Sequence, residues 1–271
     1  MYFVKSIIDI VIIILLIRLL INPKEAFFNQ IYSLIYRISD PILTPSRYIT
    51  RNHSRMVLIT ILGLVILRGI VYLSIKPMSL LSGMGISLLS LCRLLFQAYM
   101  VIWIINILSQ QGYGASLLRM LQRAFIPLYT VSTRLVISKK YFNLFSFLFL
   151  LVLYSLISFI IYSLMIPTQS IDASYSILHG LGEGLIIVFG LFPGFFSLVI
   201  FIGVMLSWVS PDPNNPIVQA IYGISEPLLI PFRRFIPSLG GLDISPILAL
   251  ICYQVLGRLG QQVVAGMIGM V

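Results

Sequence analysis

Residues 207–246 read SWVSPDPNNPIVQAIYGISEPLLIPFRRFIPSLGGLDISP and lie between two long apolar runs. The segment is rich in proline, glycine and short polar side chains, which are typical of positions where helices end and begin. Because apolar runs flank it, we interpret it as a connection at a membrane surface. A weaker copy lies near the N-terminus, and a still weaker one lies in the middle of the chain. The sequence therefore predicts a tandem array of one small membrane unit.

The composition points to the lipid bilayer as the solvent of this chain. Of its 271 residues, 59% are hydrophobic and 10% are charged, whereas a soluble domain is roughly 45–50% apolar and about 25% charged. The net charge of +10 is concentrated in particular loops, which indicates topology rather than contact with nucleic acid. Cys92 and Cys252 are isolated in apolar runs, so no disulfide framework, metal site or cofactor site is predicted.

Six apolar runs are long enough to span a membrane, which takes about 20 residues. They are residues 4–21, 57–75, 86–108, 144–166, 186–209 and 244–264. The first run is not followed by the small-residue cleavage pattern of a signal peptide. In the fifth, residues 190–194 read GLFPG and predict either a kink or a short re-entrant segment. The fold class predicted is an all-α membrane protein with about six transmembrane helices.

The charges of the loops alternate along the chain. Loops one and three carry five cations each and loop five carries Arg233 and Arg234, while loop two has only Lys76. Loop four has Asp172 and Glu183 but no cation. Cation-rich loops remain in the cytoplasm. Loops one, three and five are therefore predicted to be cytoplasmic, with both termini on the outer, periplasmic side of the cytoplasmic (inner) membrane.

The three cation-rich loops share an apolar stripe with the spacing i, i+4 and i+7. The stripes are Ile31, Ile35 and Ile38 in loop one, Leu117, Leu121 and Ala124 in loop three, and Ile217, Ile221 and Ile224 in loop five. This spacing places three apolar side chains on one face of a helix. Each loop is predicted to contain an amphipathic helix in the plane of the membrane interface. Packing of that helix on its neighbours is the alternative.

Prolines predict where two of these helices end. Asp40-Pro41 is followed by Pro45, and Glu226-Pro227 is followed by Pro231. Proline disfavours the helical conformation of the residue before it, so we expect a turn at each acid–proline pair. The same offset matches Asn29 with Asn215, Tyr36 with Tyr222, Ser39 with Ser225 and Arg47 with Arg233. An internal repeat is therefore predicted.

The repeat divides the chain into three units, each a span, an interfacial helix and a second span. Residues 1–80 form a diverged unit, residues 81–180 a degenerate one and residues 181–271 the best-defined one. The middle unit retains a proline in register at Pro127 but has Ile126 in place of the acid. Because each unit crosses the membrane twice, all three should have the same orientation.

Several motifs of the third unit resemble the YggT/YlmG family of small integral membrane proteins. They are Ser207-Trp208, Pro211-Asp212-Pro213, Asn215-Pro216-Ile217, Glu226-Pro227-Leu228-Leu229, Pro231-Phe232-Arg233-Arg234 and the GGLDISP segment at 240–246. The resemblance is weaker at residues 1–75, where RNHSR at 51–55 replaces the Gly-Gly-Leu-Asp turn. It extends to residues 86–166 only in outline.

This resemblance implies associations rather than a mechanism. Bacterial members are associated with osmotic or salt tolerance, and some of their genes lie near cell-division genes. Chloroplast members are associated with haem attachment to a cytochrome b complex and with division or nucleoid distribution. The resemblance implies no shared enzymatic activity.

The candidate site residues are the polar and proline positions of these motifs. For contact with lipid or a partner they are Asp212, Asn215, Glu226, Pro227, Pro231, Arg233, Arg234 and Asp243, with Asp40, Pro41, Pro45 and Arg47 in the first unit. Asp212 and Asn215 fit a turn and a helix cap, and Asp243 fits the start of the last span. The arginines can bind anionic lipid headgroups, dock a protein partner or pair with the acids of their own unit.

Asp9 is predicted to be the acid that lies well inside an apolar run. An acid within a membrane span is by default a functional hypothesis, and Arg68 or Arg93 could pair with it. A structural role, a side chain that reaches the interface and an ion path all remain open. His53 and His179 have no catalytic or metal-binding partner in the sequence.

The function predicted is that of a non-enzymatic scaffold or an assembly or stress-tolerance factor. It would act through its cytoplasmic interfacial helices on a membrane protein partner or a second copy. The alternative is an ion channel or transporter subunit linked to osmotic or salt tolerance. That alternative needs a polar path through the spans, and Gln97, Tyr99 and Gln261 supply few such groups. An enzyme ranks third because no nucleophile–base pair is visible.

Overall fold

The computed structural model describes residues 2–22, 30–75, 79–108, 120–166, 175–209, 212, 215–235 and 243–269. The regular secondary structure in these ranges is entirely helical, and they contain no strand. The helices are α1 (Tyr2–Leu20), α2 (Gln30–Arg47), α3 (His53–Ile75), α4 (Leu80–Leu108), α5 (Ile126–Arg134), α6 (Phe142–Met165), α7 (Ile177–Gly190), α8 (Ser197–Val209), α9 (Pro216–Phe235) and α10 (Ser245–Met267).

Five helical segments in the described ranges are long and apolar enough to cross a membrane. They are His53–Ser74, Leu80–Ile107, Lys139–Met165, Ile177–Val209 and Ser245–Met267. The predicted all-helical, multi-pass membrane class is confirmed at this level. The predicted first span folds as α1, but it is not among the five. Three charged residues, Lys5, Asp9 and Arg18, interrupt its 19 residues.

The segment Ile177–Val209 begins nine residues before the predicted fifth span. A straight α-helix of its 33 residues would be about 50 Å long, well beyond the roughly 30 Å of a bilayer core. The interruption predicted at residues 190–194 is a π-helical turn at Phe192–Phe196 that joins α7 to α8. The backbone N–H of Phe196 donates to the carbonyl of Leu191 at 3.0 Å, which is the i to i+5 bond of such a turn.

The folded chain divides into two compact bodies, which we call unit 1 and unit 2 and which are distinct from the three repeats predicted from the sequence. Unit 1 consists of Met1–Leu94 and Ile157–Tyr175, and unit 2 consists of Leu95–Leu156 and Ser176–Val271. In unit 1, α1, α2 and α3 pack on one another around an apolar cluster that includes Leu15, Leu43 and Val57. In unit 2, α8, α9 and α10 pack on one another in the same way, and α10 also packs on α7 and the π-helical turn.

A glycine lets α10 approach the π-helical turn closely. A Cβ atom on Gly257 would lie 2.3 Å from Cδ of Pro193 and 2.8 Å from the carbonyl oxygen of Phe189. Small residues are common where helices in membranes pack at short distance. Any larger side chain at Gly257 would push α10 away from this turn.

The prediction that the chain turns at Asp40-Pro41 and Glu226-Pro227 is wrong. Both α2 and α9 continue as helices through their two prolines. Prolines four residues apart lie on the same helix face, so the backbone hydrogen bonds they remove are lost on one side only. In α2 that side is exposed, and the hydroxyl of Thr44 donates to the carbonyl of Pro41 at 2.6 Å.

The opposite faces of α2 and α9 are buried at equivalent positions. The buried residues are Tyr32, Ser39 and Leu43 in α2 and Val218, Ser225 and Leu229 in α9. These pairs share the offset that relates the two proline motifs. The helices predicted in loops one and five are confirmed. Their buried faces pack on neighbouring helices, which is the alternative to a position in the plane of the interface. The isoleucine stripes remain partly outside, since Ile38 and Ile217 are exposed.

The helix predicted in loop three differs from its two counterparts. Leu117 lies outside the described residues, and α5 begins at Ile126 with Pro127 in its first turn. Residues 120–125, which include Leu121 and Ala124 of the predicted stripe, are also helical and lead directly into α5, so the chain does not turn at Pro127. The first turn of a helix tolerates proline because its backbone N–H groups have no partner within the helix.

Candidate functional site: ion clusters on the proline-containing helices

The cap predicted at the start of α9 is confirmed. The side-chain oxygen of Asn215 accepts a hydrogen bond from the backbone N–H of Ile217 at 2.9 Å. The N–H of Asn215 in turn donates to the carbonyl of Asp212 at 3.0 Å. Asn215 and Asp212 thus fix where α9 begins and the direction in which it leaves the preceding span.

Three charged side chains form a cluster at the far end of α9, which we call the unit 2 cluster: Glu226, Arg233 and Asp243. The guanidinium of Arg233 forms an ion pair with Glu226, to which a second hydrogen bond contributes at 3.3 Å. Its Nε also donates to Oδ2 of Asp243 at 2.8 Å. Arg233 therefore joins the acid before Pro227 to the residues that precede α10. All three side chains are partly exposed.

Asp243 also organises the first turn of α10, as predicted. Its Oδ1 accepts from the backbone N–H of Ser245 at 3.0 Å and from the Ser245 hydroxyl at 2.6 Å. Pro246 follows in the first turn. One carboxylate thus holds both the start of α10 and the end of α9.

The pKa values of this cluster follow from these contacts. Burial alone would raise the pKa of Asp243, but hydrogen bonds from Ser245 and Arg233 and the charge of Arg233 lower it below its ordinary value. Burial would lower the pKa of Arg233, but its hydrogen bonds to Glu226 and Asp243 and their charges raise it. With one arginine and two acids, the cluster has a formal net charge of minus one.

The first copy has a corresponding cluster of Arg18, Asp40 and Arg47, which we call the unit 1 cluster. Oδ1 of Asp40 accepts from Arg47 at 3.0 Å, across the same seven residues that separate Glu226 from Arg233. The same oxygen accepts from Arg18 of α1 at 2.8 Å. With two arginines and one acid, this cluster carries one net positive charge.

Arg18 forms further polar contacts with α2. Its guanidinium donates to the hydroxyl of Ser39 at 2.6 Å and to the carbonyl of Tyr36 at 3.3 Å. It also lies over the ring of Tyr36, 4.1 Å from the ring centroid, where it can form a cation–π interaction. Burial raises the pKa of the Tyr36 hydroxyl. Tyr36 stacks on His53 and forms a hydrogen bond with it at 3.3 Å.

Arg18 is the site residue that sequence reasoning missed. The only local signal was a cation in the last turn of an apolar run, which usually denotes a side chain that reaches for the interface. Its partner Asp40 lies 22 residues away. The equivalent of Ser39 in unit 2, Ser225, is buried, and its hydroxyl has no hydrogen-bond partner among the described residues. Gly203 of α8 packs directly against it.

Arg68, one of the two arginines named for Asp9, forms an ion pair with it. Arg68 is completely buried. Its Nε donates to the hydroxyl of Ser87 at 3.1 Å, and a second nitrogen donates to the carbonyl of Ser87. The pair joins α1, α3 and α4, and each charge has its counter-ion, as buried charges require.

An acid also lies inside one of the five candidate spans. Glu183 was assigned to loop four, but it lies in α7, within the apolar segment Ile177–Val209. Three glycines next to it, Gly180, Gly182 and Gly184, lower the local hydropathy, which is why the span was predicted to begin later. His179 of the same helix lies beside Ser176, whose hydroxyl is 2.8 Å from its Nδ1.

The charged clusters suit binding and positioning more than bond-making chemistry. In the described part of the chain, no three side chains of His, Cys, Asp or Glu converge to form a metal site. The unit 2 cluster presents carboxylates and guanidinium groups at the surface, next to Arg234. Arg234 is exposed, and among the described residues it has no hydrogen bond or ion pair.

Comparison with known proteins finds one family profile and several partially matching relatives. The sequence profile of the CCB3/YggT family matches residues 183–264. "Uncharacterized protein PA0392" of Pseudomonas aeruginosa is 44% identical over 86 residues, which are 32% of this chain and 44% of that protein. "Uncharacterized protein YggT" of Escherichia coli K12 is 41% identical over 56 residues, which are 20% of this chain and 29% of that protein.

A plant protein gives a similar partial match. "YlmG homolog protein 2, chloroplastic" of Arabidopsis thaliana is 40% identical over 68 residues, which are 24% of this chain and 27% of that protein. The matched segments thus cover less than half the length of these relatives. No solved structure matches the chain.

Proposed function

Since the chain belongs to the YggT family through its residues 183–264, we propose that it is an integral membrane scaffold or assembly factor without catalytic activity of its own. It binds a membrane protein partner, or a second copy, through the surface formed by α9 and the start of α10. A role in stress tolerance or assembly can be performed by such a scaffold through binding alone, without a catalysed reaction.

The observation that carries this proposal is the unit 2 cluster. Arg233 is used internally, because it bridges Glu226 and Asp243. Arg234, its neighbour, is exposed, so its guanidinium is available to a partner. A guanidinium on a rigid support is well suited to bind a carboxylate through two parallel hydrogen bonds. The ion cluster and the Asn215 cap provide that support at both ends of α9.

We further propose the membrane arrangement in which this surface is cytoplasmic. The chain would have six spans, with α1 as the first, in three tandem units at residues 1–80, 81–180 and 181–271. Both termini would lie on the periplasmic side of the cytoplasmic membrane. The charges of α1 are compatible with insertion because Asp9 pairs with Arg68 and Arg18 pairs with Asp40. Paired charges cost far less in a bilayer than isolated ones.

Cross-linking in native membranes tests the scaffold role. Proteins that co-purify with the full-length chain are compared with those recovered with Arg234→Gln and with the double variant Arg233→Gln/Arg234→Gln. Arg37→Gln is the matched control, because it removes one exposed cation from the equivalent helix α2. We expect both test variants to lose a defined partner while remaining inserted. Recovery of every partner by the double variant would contradict the proposal.

Co-purification of two differently tagged copies of the chain tests whether the partner is a second copy, that is, whether the protein forms a homo-oligomer.

Ion transport is the second candidate function. It is favoured by the ionisable groups within the spans, namely the Asp9–Arg68 pair and Glu183 of α7. The test is K+ and Na+ flux through the purified full-length chain in liposomes, compared with empty liposomes. Gradient-dependent flux that falls in Glu183→Gln or Asp9→Asn would favour transport over the scaffold. Flux at background, with the protein correctly inserted, would exclude both ions as substrates.

A further inference from the structure

A strained and exposed valine marks the turn after α5. Val136 has a φ of +56°, in the left-handed region that a β-branched residue rarely adopts. Helix α5 ends there in a Schellman motif, in which the N–H of Ile137 donates to the carbonyl of Ser132 at 3.0 Å and that of Val136 to Thr133 at 3.2 Å. Glycine is the usual residue at this position. Residues with strained backbone cluster at ligand-binding and switch sites, so this turn is a candidate site.

The strained turn presents apolar surface. Val136 is 89% exposed and Leu135 is 59% exposed. We call these two residues, with Arg134, Lys139 and Lys140, the basic tip. The three cations are exposed, and among the described residues none has a hydrogen bond or an ion pair to an acid. The nearest acids in the sequence are Asp40 and Asp172, so neighbouring residues in the chain do not neutralise this charge.

The position of the tip relates it to the bilayer. The candidate span Lys139–Met165 begins three residues after Val136. A pair of apolar side chains flanked by cations, at the point where a span begins, therefore lies at the depth of the lipid headgroups. Apolar side chains lose their cost of exposure there, and cations gain from anionic lipid.

The connection between α2 and α3 has the same composition. Tyr48 and Ile49 are exposed, and Arg51 and Arg55 follow them at the start of the span His53–Ser74. The N–H groups of Ile49 and Thr50 both donate to the carbonyl of Ser46 at 3.1 Å, so this tip is also held in place by its backbone. Exposed apolar residues beside cations at the start of a span thus occur once in unit 1 and once in unit 2.

We propose that the basic tip is a binding site for anionic phospholipid: Leu135 and Val136 insert between lipid chains, and Arg134, Lys139 and Lys140 bind the phosphate-bearing headgroups. The degenerate middle repeat then has a function of its own. The proposal rests on the membrane placement given above and not on the scaffold role. Lipid binding and partner binding are therefore tested separately.

A fluorophore next to the tip reports lipid binding directly. Ser138→Cys, in the full-length chain with Cys92→Ala and Cys252→Ala, is labelled and reconstituted in phosphatidylcholine vesicles with phosphatidylglycerol. Quenching by spin-labelled phosphatidylglycerol is compared with quenching by spin-labelled phosphatidylcholine. We expect phosphatidylglycerol to be enriched. The enrichment should fall about fivefold per cation removed in Lys139→Gln/Lys140→Gln, the equivalent of about 1 kcal/mol each.

The charge-conserving variant Lys139→Arg/Lys140→Arg is the matched control and should retain the enrichment. Equal quenching by the two lipids in the parent protein would overturn the proposal. Inorganic phosphate should reduce the enrichment no more than sodium chloride of the same ionic strength. A larger effect of phosphate would identify a site for free phosphate instead.

Val136→Gly separates the tip from an ordinary helix end. Glycine relieves the strained backbone, so the thermal midpoint of unfolding in detergent should rise by a few degrees. Quenching of the fluorophore by lipids that carry the spin label deep in their acyl chains should fall. A rise in stability with unchanged quenching would contradict the insertion of Val136. This measurement needs no change of charge, and a variant that is more stable cannot owe its lost lipid contact to misfolding.

Discussion

The unit 1 and unit 2 clusters use one local design to opposite electrostatic effect. In both, an acid precedes the first of two prolines and pairs with an arginine seven residues later, across a continuous helix. The third member differs. In unit 1 it is Arg18, contributed by the preceding helix α1, whereas in unit 2 it is Asp243, which precedes the following helix α10. One cluster therefore has a positive net charge and the other a negative one.

This difference also determines which helix each proline-containing helix is tied to. Helix α2 is bound back to α1, and the connecting arginine is only 4% exposed. Helix α9 is bound forward to α10 through side chains that remain about 40% exposed. Ion pairs contribute little at exposed sites, while a buried charge is costly once its partner is removed. The same motif is thus a structural lock in unit 1 and an accessible surface in unit 2.

The largest difference should appear when the acid of each cluster is neutralised. Asp40→Asn leaves Arg18 buried without a counter-ion. We expect it to lower the free energy of unfolding by about 2–3 kcal/mol, less than for a fully buried pair because Asp40 is half-exposed. Glu226→Gln should cost about 0.5 kcal/mol. Thermal and denaturant unfolding in one detergent measure both, and equal losses would contradict the distinction between lock and surface.

Two equivalent serines provide a smaller test. The hydroxyl of Ser39 accepts from Arg18, whereas the hydroxyl of Ser225 is buried without a partner among the described residues. Ser39→Ala should therefore cost about 1.5–2 kcal/mol, as expected for a hydrogen bond to a charged group. Ser225→Ala should be neutral or slightly stabilising, since it removes an unsatisfied polar atom. If Ser225→Ala were the more damaging change, the proposed equivalence of the two positions would be wrong.

The unit 2 cluster should respond to acid. Because the folded-state pKa of Asp243 is lowered, its contribution is complete above the ordinary aspartate pKa of about 3.9. It is lost as the pH falls through the folded-state value. The difference in unfolding free energy between the parent protein and Asp243→Asn should be about 0.5 kcal/mol at neutral pH and should vanish in strong acid. Stability curves against pH for the two proteins measure it. A difference that grows in acid would mean that folding raises the pKa of Asp243 instead of lowering it.

The sequence predicted the features that depend on local chemistry. The Asn215 cap and the turn at Asp243 use side chains that bind backbone groups two residues away, so the motif itself contains the geometry. The offset between Asp40 and Glu226 likewise located both clusters. The motif also predicts an ion pair between Glu226 and an arginine of its own unit. It does not predict the ion pair between Arg18 and Asp40, because that pair depends on how α1 packs against α2.

Two predictions failed because packing overrode local preference. A proline inside a helix costs about 3 kcal/mol, which favoured turns at Pro41 and Pro227. Burial of the opposite face, through Leu43 and Leu229, keeps both helices intact. Glu183 was assigned to a loop because an acid among glycines lowers local hydropathy. Its place in α7 depends on packing that hydropathy does not record, since Gly180 and Gly184 lie against side chains of α6.

The smallest expected effect on stability belongs to Arg234, and it sharpens the comparison most. If the unit 2 cluster is an accessible surface, the exposed Arg234 beside it should contribute little to stability. Arg234→Gln should change the free energy of unfolding by less than about 0.5 kcal/mol, while Arg233→Gln, next to it, should cost more because two carboxylates lose their shared cation. The two single variants differ by one position and remove the same charge. A stability loss that is equal in both would place Arg234 inside the cluster and remove it as the group available to a partner.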